Sequence, residues 1–330
     1  MAQPSKSRTM PTTHNVTPWS RREFMQRSAA AVGGALLLPA GVLAASEKRL
    51  VILHTNDTHS RIDPFPMDGG RNEGRAGVAR RKTLIDRIRA EHRNVLLLDS
   101  GDVFQGTPYF NIFKGEVELK AMHAMDYDVA TLGNHDFDNG VDGLVDMLHH
   151  APRLQWVSAN YEMPGSRLAP HVEPHVILER GGIRIGIFGL GIAFDGLVLP
   201  DLHEGVSYTD PILAARRQAD ELRGRGCDLV VCLSHLGYRY QNEDRPDDVS
   251  LAVEVPDIDV ILGGHTHTFM DAPVAVDRPG AAERTDRPPA LINQVGFAGI
   301  RLGRLDFIFD GRGRLQRWYA GHYDVDERYA

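Results

Sequence analysis

Gly133-Asn134-His135-Asp136-Phe137-Asp138 is the stretch whose reading decides the fold. It follows an apolar run at residues 127–132, which predicts a buried strand. A strand that ends this way delivers an amide, an imidazole and carboxylates onto one turn. An amide oxygen binds a cation without adding charge, and an imidazole binds metal or carries a proton. Asn, His and Asp are also ordinary turn residues, so the hexapeptide alone decides nothing. Four further segments follow or lie within strand-like runs: Asp57-Thr58-His59, Gly101-Asp102, Ser234-His235 and Gly264-His265-Thr266-His267. Five such segments in one chain point to a binuclear metal site.

The runs around them alternate in period. Residues 50–54, 94–98, 155–158, 229–233, 260–262 and 291–294 read as strands. Residues 76–92, 116–125, 141–150 and 210–225 read as helices, the last with Pro211 at its first position. Residues 176–179 and 183–189, joined through Gly181-Gly182, read as a hairpin. Alternating units predict a layered α/β fold, with two packed mixed β-sheets flanked by helices. The closing strands, 301–309 and 315–319, come without helices and predict a second sheet packed on the first. Residues 271–289, rich in Pro, Arg and Asp, read as an exposed loop.

The chain has 330 residues, and its first 45 differ from the rest. Ser20-Arg21-Arg22-Glu23-Phe24-Met25 precedes a weakly apolar run at 28–45, and Val42-Leu43-Ala44 offers a small-residue cleavage site. This resembles a twin-arginine export signal, so residues 1–45 are expected to be a signal peptide and 46–330 the functional domain. A membrane contact would then exist only through an uncleaved signal. Pro39 and the Ala/Gly content make the run a poor spanning helix. The 37 Lys/Arg and 44 Asp/Glu leave a net charge of −7, and the first 45 residues hold five of the bases and one of the acids. The remainder is therefore more acidic still, which argues against a polynucleotide partner. Cys227 and Cys232 bracket one predicted strand, ~16 Å of extended chain, and are read as small buried residues rather than a disulfide.

The ligand candidates are Asp57, His59, Asp102, Asn134, His235, His265 and His267. Residues i and i+2 of an extended chain face one side, so Asp57 would converge with His59, and His265 with His267. Asp102 and His235 end strands, at the edge where ligands collect in α/β sheets. Seven ligands are too many for one tetrahedral ion. They suit two ions ~3.5–4 Å apart that share a carboxylate. Nitrogen and oxygen donors without thiolate suit Mn, Zn, Co or Fe. Read singly, each has a plainer reading: turn residues at 56–57, a solvated His59, a structural turn histidine at His135. His54 is expected to pack, and His123, His149 and His150 to lie on helices without partners.

The order Asp-x-His, Gly-Asp, Gly-Asn-His-Asp, His, Gly-His-x-His resembles the calcineurin-like metallophosphoesterase superfamily. Asn56-Asp57-Thr58-His59, Gly101-Asp102-Val103-Phe104-Gln105-Gly106-Thr107, Ser234-His235-Leu236-Gly237 and Gly263-Gly264-His265-Thr266-His267 resemble its 5′-nucleotidase branch. The similarity runs from about Leu50 to Phe309. It implies a layered metallophosphoesterase fold and hydrolysis of phosphate monoesters, nucleotides above all, by in-line attack of a metal-activated hydroxide. It implies that Asp57, His59, Asp102 and His267 bind one metal, and Asp102, Asn134, His235 and His265 the other. His267 stands where relatives often carry Gln. His135 is similar to the family's catalytic histidine and Asp138 to its partner. Nucleotidases of this branch typically add a C-terminal domain that holds the nucleotide with an aromatic pair. None of these aromatics stands out here, so the substrate-binding residues are unassigned and a separate polypeptide is a candidate to supply that domain in trans. The alternatives are a thiosulfohydrolase-like enzyme on the same ligands and a noncatalytic family member. Localisation is expected to be the bacterial periplasm.

Overall fold

The computed structural model describes residues 47–241, 245–277 and 288–330. The expected signal peptide, its 1–45 boundary and part of the 271–289 loop lie outside these residues. In chain order come β1 (Lys48–Thr55), α1 (Val78–Glu91), β2 (Val95–Asp99), α2 (Pro108–Phe113), α3 (Glu116–Met125), β3 (Val129–Thr131), α4 (Gly140–Leu148) and β4 (Gln155–Val157). Next are β5 (Tyr161–Glu162), β6 (Val172–Glu173), β7 (His175–Arg180), β8 (Ile183–Leu190), β9 (Ser207–Tyr208), α5 (Pro211–Gly224), β10 (Leu229–Ser234), α6 (Asp248–Glu254) and β11 (Val260–Gly263). β12 (Val274–Val276), β13 (Ala290–Asn293), β14 (Arg301–Phe309) and β15 (Leu315–Asp324) complete the sheets.

One sheet has the order β15-β14-β1-β2-β3-β4-β6, parallel from β1 to β6. The other has the order β12-β13-β11-β10-β8-β7, parallel in its centre with antiparallel edges. The strand period explains the layering. In β1, Leu50 and Ile52 join a buried cluster with Ile185, Val231 and Leu262 of the other sheet. Val51 and Leu53, on the opposite face, pack with Ile85 of α1, Leu119 of α3 and Leu144 of α4. Leu222 of α5 and Leu251 of α6 cover Val230 and Ile261 on the far side. The layers are therefore helix, sheet, sheet, helix. Strands buried on both faces must be apolar throughout, which is why 50–53 and 229–233 read as unbroken runs. Phe307 is fully buried between the sheets, where truncation to Ala would cost about 3–5 kcal/mol.

α5 starts as expected, with Pro211 at its first turn and the Asp210 carboxylate accepting from the Ile212 and Leu213 amides at 2.8 and 3.1 Å. Both cysteines are buried and free. Other expectations need correction. The closing strands do not found the second sheet. β14 pairs antiparallel with β1, from Lys48↔Phe309 to His54↔Gly303, and β15 extends that same sheet. Leu305, Phe307 and Phe309 alternate inward in step with Leu50 and Ile52, and this shared burial selects the pairing. α2 and α6 were not foreseen; each is under eight residues, too short to show a helical period. α6 is set by a capping box between Asp247 and Ser250. The expected loop at 271–289 contains β12. Among the described residues no helix is long and apolar enough to cross a membrane.

Candidate metal centre

Every ligand candidate follows the carboxyl end of a parallel strand. Asp57 and His59 follow β1, Asp102 follows β2, Asn134 follows β3, His235 follows β10, and His265 and His267 follow β11. The two i, i+2 pairs do not converge as extended chain. Asp57, His59, Asp102, His265 and His267 have φ of 50°, 47°, 57°, 68° and 52°, in the left-handed region. Such positions cost about 1–3 kcal/mol each for residues with a Cβ. Backbone hydrogen bonds over-determine them: Asp57 N–H to Gly101 O at 2.9 Å, His59 N–H to Asp102 O at 3.1 Å, and Ala298 N–H to Asp57 O at 2.7 Å. The tight turns, not the pleat, aim the side chains at one point.

Two groups result. Asp57, His59 and His267 form one, and Asp102, His235 and His265 the other, with the ligand atoms of each group all within 4.8 Å. In the first, His267 Nε2 lies 3.2 Å from Asp57 Oδ1 and 3.0 Å from His59 Nε2. In the second, His235 Nε2 lies 3.1 Å from Asp102 Oδ2. Asn134 joins it, with its Oδ1 3.0 Å from His265 Nδ1. Asp102 Oδ2 also lies 4.0 Å from His59 Nε2, so one carboxylate oxygen faces both groups.

The donor atoms fit a cation pair. His59 Nδ1 donates to Phe104 O at 3.2 Å, and His235 Nδ1 donates to Ser100 O at 2.6 Å. A carbonyl only accepts, so in each neutral ring the lone pair is on Nε2, aimed into the site. His235 Nε2 is buried and makes no aligned hydrogen bond. Burial disfavours a charge on this ring, but the Asp102 and Asp57 carboxylates outweigh it and raise the imidazole to about 10, so a cation bound there would take the place of the Nε2 proton. Burial pushes the Asp102 carboxyl up, but the imidazoles of His235, His59 and His135 outweigh it and hold the group well below the usual range. Burial, with His235 nearby, lowers His265 to about 4. Both shifts keep these groups in metal-binding form.

Asp136, assigned no role from the sequence, is the clamp of the site. Its fully buried carboxylate accepts four backbone N–H groups: Asp102 at 3.0 Å, Val103 at 2.9 Å, Phe104 at 3.3 Å and Gly133 at 2.8 Å. The turn after β2 is thereby fixed to the turn after β3. Asp102 Oδ1 in turn accepts the His135 N–H at 2.7 Å. Gly133 has no alternative here, because a Cβ would stand 2.2 Å from Asp102 Oδ1. In the sequence its only mark was a carboxylate three residues after the glycine that follows the β3 run.

His135 Nδ1 lies 2.8 Å from Asp138 Oδ2, and its half-buried ring meets that of His59 edge-on at 5.4 Å. The Asp138 hydrogen bond raises the His135 pKa against a smaller opposing effect of burial. His54 packs, fully buried, beside Asn293 Nδ2 at 3.0 Å. Tyr238 is half-buried and Arg239 exposed, both on the loop after His235. The sequence offered no aromatic pair near the metals, yet the fold brings one. Phe297 stacks on the His267 ring at 5.1 Å, and Phe269 meets Phe297 edge-on at 5.9 Å.

Two imidazole–carboxylate groups meet at one buried aspartate, on loops at the ends of parallel strands, and each could hold a metal ion. The calcineurin-like phosphoesterase family model matches residues 50–269, and the chain belongs to that family. The snake venom 5′-nucleotidase of Crotalus adamanteus is 35% identical over 286 residues, 83% of this chain and 47% of its own length. The 5′-nucleotidase of Bos taurus is 36% identical over 297 residues, 86% of this chain and 50% of its own. The crystal structure of the 5′-nucleotidase precursor from Thermus thermophilus matches with a TM-score of 0.73 at 33% identity, covering 86% of this chain and 55% of that one. The chain thus spans about half the length of the curated relatives it matches. The layered architecture with mixed sheets is that of these neighbours.

Proposed function

We propose that this chain hydrolyses phosphate monoesters, nucleoside 5′-monophosphates first among them, at the paired site. The observation that carries this reading is Asp102 Oδ2, poised 3.1 Å from His235 Nε2 and 4.0 Å from His59 Nε2, with the His135–Asp138 pair at the rim. The relatives named 5′-nucleotidase support the substrate class. Asp57, His59, Asp102 and His267 would hold one cation, and Asp102, Asn134, His235 and His265 the other. Mn, Zn, Co or Fe suits these donors. Bound there, the two ions would polarise the phosphoryl oxygens and supply the Lewis acidity of the site.

The chain's own part in the chemistry centres on His135. Asp138 holds its Nδ1 and favours the imidazolium, which leaves a proton on Nε2 to meet charge developing on the phosphoryl or leaving-group oxygen. Asp136 and Gly133 keep Asp102 and the His135 amide in register while this happens. The test is a panel of nucleoside 5′-monophosphates, glycerol phosphate and an aryl phosphate, assayed with metal-reconstituted protein. Phosphate release supports the reading. Sulfate release from thiosulfate esters without phosphate release overturns it.

Export belongs to the same proposal, supported by Arg21-Arg22 and the apolar run that follows. Fusing residues 1–45 to a reporter should direct it out of the cytoplasm, and Arg21→Lys with Arg22→Lys should stop this. A separate polypeptide that adds nucleoside-binding surface in trans is a further part, tested by co-purification from the native host.

A further inference from the structure

The segment after β13, residues 294–298, carries no ligand candidate but touches the first cation group from behind. Fully buried Gln294 donates Nε2 to Gly264 O at 2.5 Å, while its Oε1 accepts from Thr266 Oγ1 at 3.1 Å and from the Thr268 amide. One amide side chain therefore holds the whole loop that bears His265 and His267. Gly296 N–H adds a bond to Thr268 O at 3.0 Å. Phe297 does something narrower. Its ring lies parallel to the His267 imidazole, at 5.1 Å and 16°.

His267 needs that support. Its side chain is 40% exposed. Among the described residues its ring has no carbonyl or carboxylate to orient it from behind, as Phe104 O orients His59 and Ser100 O orients His235. The second group is locked by other means: His235 is fully buried and backed by Ser100 O, and Asp102 is fixed through the Asp136 clamp. We propose that Phe297 is a positioning residue for one cation alone, setting the imidazole of His267 through its face, and that the two cations consequently bind with unequal affinity, the Asp57–His59–His267 one more weakly.

This rests on the cation pair proposed above, and the experiment separates the two. Metal-free protein is titrated with Mn²⁺ in a calorimeter, without substrate. The wild type should show two binding events. Phe297→Leu should weaken one of them about 10-fold and leave the other unchanged, since removing an outer support of a ligand costs about 10–100-fold in affinity. Phe297→Tyr, which keeps the stacking face, should restore both. Gln294→Leu should weaken both, because His265 and His267 share its loop. If Gln294→Leu does not fold, the Phe297 variants decide. Two unchanged events in Phe297→Leu, or two that weaken equally, overturn the proposal. A wild type that takes up fewer than two ions overturns this and the hydrolase reading together. Two ions bound without phosphate release overturns the hydrolase reading alone.

Discussion

Asp136→Asn tests whether the clamp or the ligands themselves build the site. Asp136 is fully buried. Its Oδ2 takes the amides of Asp102 and Gly133 at 3.0 and 2.8 Å, and its Oδ1 those of Val103 and Phe104 at 2.9 and 3.3 Å. Asparagine has the same shape, but one terminus is an NH₂. Whichever way the amide turns, two of the four backbone donors face another donor. Each orphaned buried donor costs about 1–3 kcal/mol, so the pair costs about 2–6 kcal/mol. The neutral amide recovers part of this, because burial and the Asp102 charge already raise the Asp136 carboxyl to about 7. A net loss of about 2 kcal/mol is expected, or about 3–4 °C in Tm for a domain of this size. The Asp102 turn relaxes at the same time, so bound metal should fall. Thermal unfolding of the metal-free variant by circular dichroism reads the first effect, and elemental analysis after reconstitution reads the second. An unchanged Tm together with unchanged metal content would refute the clamp.

Exhaustive chelation should abolish phosphate release and Mn, Co or Zn should restore it; full turnover by protein shown to be metal-free contradicts the site. His135→Ala should keep both metals and slow turnover by ~10²–10⁴, whereas Asp102→Ala, which removes the oxygen facing both groups, should lose metal; matching metal content in the two variants would count against this division. Burial raises the buried Asp99 carboxyl from 3.8 to about 7, against hydrogen bonds from Thr55 and Gly101. The unfolded chain releases that proton first, so Asp99 loses stabilising effect as pH rises from about 4 to about 7. The stability of metal-free wild type relative to Asp99→Asn should therefore decline across this window, and denaturant unfolding that shows a constant or growing difference would reverse the sign.

The central strands and their ends were legible in the sequence because each is a local signal, whereas the short strands β5, β6, β9 and β12 were not. An apolar run buried on both faces must read as an apolar run, and Gly133-Asn134-His135-Asp136 or Gly264-His265-Thr266-His267 must follow one to lie at a sheet edge. Residue type alone also named the imidazoles and carboxylates that the fold gathers into two groups. Partnership was not local. His59 meets His267 across 208 positions, and His235 Nδ1 finds Ser100 O across 135. The left-handed turns that aim five of the ligands leave no mark in their residue types, since only the surrounding backbone hydrogen bonds make them tolerable. Asp136 looked like one more carboxylate until four amides from two loops closed on it. Phe297 was an ordinary aromatic until β13 was placed beside β11 and carried it to His267 and Phe269. The same holds for β14 and β15, whose sheet was chosen by the burial they share with β1. Sequence determined which groups are present and which strand ends bear them. Only tertiary structure decided which groups face each other, because that depends on loops of distant strands packing to one edge at once.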